Sequence, residues 1–513
     1  MTKSRIALMP SPRRIAVVLL GLLLSACAAG PDYHRPTLPQ PAAFTRAPLP
    51  STIGSAAHHD AQQFAADMAI TANWWQLFGS PALDALVQRA LARNPGIDGA
   101  QAALRQAQEN VAAQRSTYLP SAQLNYSPSR QQNAVGTLAP TLNSGQPLYT
   151  LHTAQLSISY APDVFGLNRR AVESLQAQAD AQRYQLQAAR LTLSTNVVLA
   201  AIQLGALRAQ IDATQLIIDA DRRSLVLLEQ QHRLGGASGL DVATQESALA
   251  QAQQTLPPLQ KQWELTRDLL AVLAGDPPAD GGNTDLALTD LQLPHALPLS
   301  LPSQLLEQRP DVRAAEAELV AANAAVGIAV ANRLPQLSLS AIYGGSSTRF
   351  TQMFSDDNVF WSLTGGVSQT VLDFGALKHR QRAAEAGWQQ ARAQYRATVL
   401  TAFQNVADTL YALDADARAL AAADTAMFAA RRTLTLTQQQ LRFGAIGALP
   451  LLAAEQADQQ ARIAQIQARA ARFSDTVALL QALGGGWQNA APERETHRSA
   501  AAAVSPASKE TKP

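Results

Sequence analysis

The residue best placed to do chemistry in this sequence is a single thiol. The chain has 513 residues and one cysteine, Cys27, so an intramolecular disulfide or a cysteine-based zinc cluster is excluded. The eight histidines, at 34, 58, 59, 152, 232, 295, 379 and 497, are scattered. His58-His59 lies in a Pro/Ala/Ser-rich segment and reads as solvated. No His-Glu-x-x-His, Gly-x-Ser-x-Gly or phosphate-loop pattern occurs, and those are the spacings that bring a metal, a nucleophile or a phosphate to its partners. Catalysis is not expected, and neither is a metal or cofactor. Cys27 stands apart because of what precedes it. A basic stretch with Lys3, Arg5, Arg13 and Arg14 and no acid leads into an apolar run over 15–24. Ten apolar residues are too few to span about 30 Å of hydrocarbon but suit a secretory signal. Leu24-Ser25-Ala26 then runs directly into Cys27. Small residues there would admit a peptidase and leave the thiol to accept a diacylglyceryl group.

Residues 24–27 resemble a bacterial lipobox. Two or three acyl chains on Cys27 would anchor the chain stably, since each buried CH₂ contributes roughly 0.8 kcal/mol. Ala28 stands where an inner-membrane retention signal would place Asp, which favours the outer membrane. Composition excludes other classes. Lys plus Arg is 41 and Asp plus Glu is 39; without residues 1–26 the balance is 37 to 39, a net of −2. A near-neutral chain lacks the basic face that nucleic-acid binding needs. Charged residues are 16 %, below the roughly 25 % of soluble proteins. A mean hydropathy of −0.07 nevertheless excludes a bundle of apolar membrane helices.

The elements that must carry these features come in two copies. Asn94-Pro95 and Arg309-Pro310 are 215 apart, as are Tyr118-Leu119-Pro120 and Arg333-Leu334-Pro335. Asp163-Val164-Phe165-Gly166 answers Leu372-Asp373-Phe374-Gly375, and Arg233-Leu234-Gly235 answers Arg442-Phe443-Gly444, both at offset 209. Ordered matches at near-constant offset mean one structural unit used twice. Within each copy, Leu193, Val197, Ala200, Leu204, Leu207 and Ile211, and Phe403, Val406, Leu410, Leu413, Ala417 and Leu420, alternate steps of three and four. That spacing is a coiled-coil seam. Residues 167–233 and 375–443 each predict a helix of about 100 Å. Helices over 240–275 with 305–333, and over 449–483 with 81–119, would stack in pairs to match that length. Each half then reads as one long helix against two shorter ones, with the Pro/Gly/Asp-rich stretch 276–301 as a belt at mid-height.

Between the helices the period switches to two, over 121–127, 154–160, 336–343 and 361–369. One face carries Leu124, Tyr126, Leu156, Ile158, Tyr343, Trp361 and Leu363; the other carries Gln, Asn, Ser and Thr without charge. This reads as a lipid face and an aqueous lumen, against the alternative of a soluble half-buried sheet. Four strands leave unsatisfied edges in a bilayer, and transmembrane barrels begin at about eight strands. The protomer must therefore oligomerise: two copies give eight strands and three give twelve. The loops 129–147 and 345–358 are long and polar, as external loops tend to be.

Cys27-Ala28-Ala29-Gly30-Pro31-Asp32-Tyr33, Trp74-Trp75-Gln76-Leu77-Phe78, Arg309-Pro310-Asp311-Val312-Arg313 and Arg233-Leu234-Gly235 with Leu240-Asp241-Val242 resemble the TolC-type outer-membrane factors, in the lipoprotein branch often called NodT-like. The resemblance implies a mainly α fold with a small transmembrane β part: duplicated long-helix hairpins forming an α-barrel, and four strands per protomer in a trimeric twelve-stranded β-barrel. It implies a homotrimeric exit duct for small toxic compounds, fed by an inner-membrane pump through a periplasmic adaptor, anchored in outer-membrane lipid, with no nucleic acid. The tips around Arg233, Gly235 and Gly239, and Arg442, Gly444 and Gly447, would dock the adaptor. Asp241 would narrow the tunnel, or serve as an acid favoured at a helix N-terminus; 448–455 offers no matching Asp. Trp74-Trp75 read as packing anchors. The alternatives are a duct for type I protein secretion, or a periplasmic coiled-coil structural lipoprotein. The layout is a signal over 1–26, an extended lipid-anchored strap over 27–72, repeats over 73–275 and 302–487 (strands about 121–128, 150–162, 336–344 and 359–371), the linker 276–301 between them, and a disordered tail over 488–513.

Overall fold

The structure, a computed structural model, describes residues 29–489 except 38–40, 42, 47, 49, 55–60, 67, 133–147, 281–285 and 300–301. The signal segment, Cys27, His58-His59 and the tail from 490 lie outside the described residues.

Two helices dominate, α3 (Leu167–Arg233) and α7 (Ala376–Arg442), each of 67 residues and therefore about 100 Å long. Below mid-height each turns back into a 35-residue helix, α4 (Gly239–Leu273) and α8 (Ala448–Ala482). Above it the partners are α2 (Pro95–Ser116) and α6 (Pro310–Ala331), each of 22 residues. Packing runs α2–α3–α6–α7 in the upper half and α4–α3–α8–α7 in the lower. The stripe of three-and-four spacing is the buried one: Leu193, Val197, Ala200, Leu204 and Leu207 on α3, and Val406, Leu410, Leu413, Ala417 and Leu420 on α7, are all buried.

Two helical stretches differ from expectation. The helix over 81–119 is two, α1 (Pro81–Arg93) and α2, and α5 (Pro302–Gln308) is likewise separate from α6. Proline has no N–H to continue the ladder and pushes its predecessor into extended backbone. Asn94 and Arg309 are extended for that reason. Both side chains tie the corner to the end of a returning helix: Asn94 Nδ2 donates to the Leu273 carbonyl at 3.0 Å and Arg309 Nη1 to the Ala482 carbonyl at 2.9 Å. Conversely, α4 runs straight through Pro257-Pro258. The pair is exposed, so water can take the two carbonyls that lose a donor.

At mid-height β1 (Thr52–Ile53) pairs antiparallel with β2 (Gln62–Ala66), which pairs in parallel with β5 (Ala296–Leu299). The strap and the linker thus form one small sheet, which the sequence reading did not anticipate. Beneath it lies the core: Trp74, Phe78, Leu83, Leu297, Leu305 and Phe473, each at most 1 % exposed. Trp74 and Trp75 sit in a short 3-10 helix, Trp74–Phe78. Trp75 Nε1 donates to Asp84 at 2.7 Å. Both tryptophans are therefore packing anchors.

Candidate functional site

The second sheet has the order β3–β4–β6–β7, with β3 (Ser121–Gln132), β4 (Leu148–Tyr160), β6 (Gln336–Ser347) and β7 (Val359–Ser368), all antiparallel. Strands β3, β4 and β6 reach further toward the connecting loops than expected. β4 stops at Tyr160 and β7 at Ser368, short of the expected 162 and 371. Past β7 the chain is held by side chains instead: Gln369 donates to the Arg333 carbonyl at 3.0 Å, and the Asp373 carboxylate accepts from the Gly375 and Leu377 amides at 2.8 Å each. Asp163 does the same for Asn168 and Arg169, at 3.0 and 2.8 Å, so both copies launch their long helix from an aspartate cap.

Register decides the faces, because directly opposed residues point the same way. Leu124 opposes Leu156, Leu156 opposes Tyr343, and Tyr343 opposes Trp361. One apolar row therefore crosses all four strands. Ala122, Ile158, Ala341 and Leu363 make the next row, and Ser121, Ser159, Ser340 and Thr364 make a polar row on the opposite face. Leu151, Ile342 and Phe360 are apolar exceptions on that face. Leu124, Trp361 and Leu363 are 80, 75 and 76 % exposed, and the outer edges of β3 and β7 pair with nothing among the described residues. The loop after β6 folds back, with Met353 buried and the Phe350 ring edge-on to Tyr126 and His152 at 5.9 Å.

Where strands meet helices, the strap is locked down. The Ala29 amide donates to the Phe165 carbonyl at 3.0 Å, two residues past Cys27. Arg170, 4 % exposed, donates to the carbonyls of Ala29 and Gly30, to Asp32 at 2.7 Å and to Glu173 at 2.7 Å. Asn323 donates to the Pro31 carbonyl at 3.0 Å, and Arg35 pairs with Glu316 at 2.6 Å. The arginine beside Asp32 holds that carboxyl below its ordinary range.

At the far end are the two tips. After α3, Gly235 at φ +79° bonds the His232 carbonyl and Gly236 the Gln231 carbonyl. After α7, Gly444 at φ +69° bonds Leu441, and Ala445 bonds Gln440. Glycine suits this left-handed turn at little steric cost. Arg233, Gly239 and Arg442 are exposed at these turns, and Gly447 caps α8. The tips differ in capping. Asp241 accepts from the Ser238 amide at 2.9 Å and hydroxyl at 2.7 Å, while the Asp241 amide donates to Ser238 Oγ, which makes a capping box. These bonds hold the Asp241 carboxyl below its usual range. Gly447 makes no side-chain cap, and Pro450 occupies the first turn of α8. The sequence reading missed the exposed apolar residues here. Leu234 and Phe443 are 87 and 86 % exposed, and Leu240 and Leu449 are exposed beside them. Their signal was available: each pair recurs at offset 209.

An unclosed four-stranded sheet with one apolar and one polar face, on a duplicated bundle about 100 Å long, defines an outer-membrane channel protomer. The sequence matches the family described as outer membrane efflux protein twice, over 86–276 and 301–485, and the chain belongs to that family. It is 32 % identical over 491 residues to the pyoverdine export outer membrane protein OpmQ of Pseudomonas putida, covering 95 % of this chain and all of that one. It is 29 % identical to the toluene efflux pump outer membrane protein TtgF of Pseudomonas putida, covering 92 % of this chain and 96 % of that one. Among solved structures, the outer-membrane channel OprN superposes with a TM-score of 0.80 at 28 % identity, covering 90 % of this chain and all of that one. The protein is an outer-membrane efflux channel, and its family and relatives are transport proteins.

Proposed function

We propose that three copies close their sheets into one twelve-stranded barrel, continued by a helical tunnel, and that the trimer is the passive exit duct of a tripartite efflux system for small compounds. The observation that carries this reading is the Leu124–Leu156–Tyr343–Trp361 row. It gives the sheet a lipid-suited face across its full width while the β3 and β7 edges stay open, and only closure against further copies satisfies those edges. A lipid on Cys27 would enter the membrane beside the barrel base, where Ala29 is bonded. The tips, with Leu234 and Leu240 and with Phe443 and Leu449 exposed, would receive a periplasmic adaptor bound to an inner-membrane pump. Asp241 would line the tunnel end as well as cap α4.

The test compares heated and unheated gel mobility of membrane-extracted wild type and Cys27→Ser. A detergent-resistant trimer band without heating supports the shared barrel. A monomer band under both conditions overturns it. Survival of the trimer in Cys27→Ser makes the barrel the main attachment and the lipid auxiliary.

A further inference from the structure

The lower half of the bundle has a flaw in its α3–α8 seam. Asp221 of α3 is 2 % exposed, and Glu455 and Asp458 of α8 are 9 and 6 % exposed. Buried carboxylates ordinarily carry a cation or several donors. Here Glu455 Oε2 is buried with no partner, and its Oε1 has only the Ser224 hydroxyl at 3.5 Å. Asp221 is met by amides: Gln245 of α4 at 3.4 Å, and the side chain of Gln459 of α8. The neighbouring arginines are turned elsewhere. Arg462 bonds Asp458 at 2.9 Å, Arg222 bonds Asp219 at 3.2 Å, and Arg223 of α3 and Arg431 and Arg432 of α7 are exposed. Of the other acids, Glu246 of α4 is exposed, and Asp241 is engaged by Ser238.

The seam is also loose at this height. A cavity of about 290 Å³ opens between α3, α4 and α8, lined by Asp221, Thr214, Gln251, Gln456, Gln459 and Gln460. It gives water a place beside Asp221 and gives α8 room to shift.

Resting on the reading of this bundle as a duct wall, we propose that Asp221 and Glu455 form a proton-operated latch, which holds α8 against α3 while Glu455 keeps its proton and releases the tip end when Glu455 ionises. A protonated Glu455 can donate its O–H to a neighbouring acceptor, whereas two buried carboxylates repel and favour separation into water. Burial, and then the charge of Asp221, push the Glu455 carboxyl up to about 7, against the weaker pull of Ser224. The sign follows. A carboxyl raised by closure favours the closed seam at acid pH, and that preference is lost as pH rises through about 7.

The test is single-channel conductance of the full-length protein in planar bilayers at pH 5.5 and pH 8.5, with trimer formation confirmed for each variant. Wild type should conduct severalfold better at pH 8.5. Glu455→Gln, which keeps shape and removes the charge, should stay at the low level at both pH values, and Asp221→Asn, which leaves Glu455 buried but removes the repelling charge, should reduce the response without abolishing it. A wild type without a pH response, or a Glu455→Gln variant that retains the wild-type response, overturns the latch. Inserted wild-type trimers that never conduct overturn the duct reading instead.

Discussion

Gly30 of the strap crosses Gly327 of α6 so closely that a Cβ on Gly30 would lie 2.4 Å from the Gly327 Cα. Gly30 also sits at φ +88°, where other residues are strained. Gly30→Ala should therefore lift the strap, at a cost of about 1–3 kcal/mol for the backbone alone. The check is the rate of chymotryptic cleavage after Tyr33, which should rise. Gly99→Ala is the control. A Cβ there meets nothing within 4 Å, and alanine in a helix interior should stabilise slightly.

The faces of the sheet can be read by charge. Leu363 and Ser362 are neighbours on β7 that point to opposite sides. Leu363→Lys should cost about 2–4 kcal/mol if it lies near the bilayer midplane and should reduce the unheated trimer band. Ser362→Lys, on the polar face, should leave that band nearly unchanged.

The equator holds the two halves together through aromatic rings. Phe473 is 1 % exposed and lies 6.1 Å from the buried Phe78 ring. Phe473→Ala should cost about 3–5 kcal/mol, read as a lower denaturation midpoint by tryptophan fluorescence.

The capping box makes the first tip the firmer one. Hydrogen exchange should be slower for the amides of 239–243 than for those of 448–452. Ser238→Ala should remove the difference, at a cost of about 1 kcal/mol to the first turn of α4.

A second carboxyl has a raised affinity for protons. Burial and the adjacent Asp416 carboxylate push Asp475 of α8 up to about 7, against the pull of Arg472. Its contribution to stability is fully present in acid, below the ordinary aspartate range, and is lost as pH rises through about 7. Wild type should therefore unfold more readily at pH 8.5 than at pH 5.5. Asp475→Asn should flatten that dependence without removing the similar share owed to Glu455.

How much of this was legible depended on range. The three-and-four spacing from Leu193 to Leu207 and the alternation around Leu124 and Trp361 are local patterns with strong periods, and the fold follows them. The offset of 209 carried over to atoms, since α3 and α7 match residue for residue in length. The β2–β5 pairing was not legible. Both strands are short, and they join residues more than two hundred apart. Nor was the burial of Asp221 and Glu455 in one seam: in a Gln- and Ala-rich helix, an acid on the buried stripe looks in sequence like one on the wet side. The corner at Asn94-Pro95 is signalled by proline alone, and the good helix formers on either side of it mask the break.

The strap is tied to the end of the chain as well as to its middle. Gln62 donates to the Pro294 carbonyl at 3.0 Å and reaches Thr476 at 3.5 Å, and Asn489 donates to the Ile70 carbonyl at 2.7 Å. Contacts this distant in sequence form late and slowly. A chain delivered N-terminus first has no place to put residues 62–70 until almost everything else has arrived. The segment 62–70, near the start of the chain, is thus the last to settle.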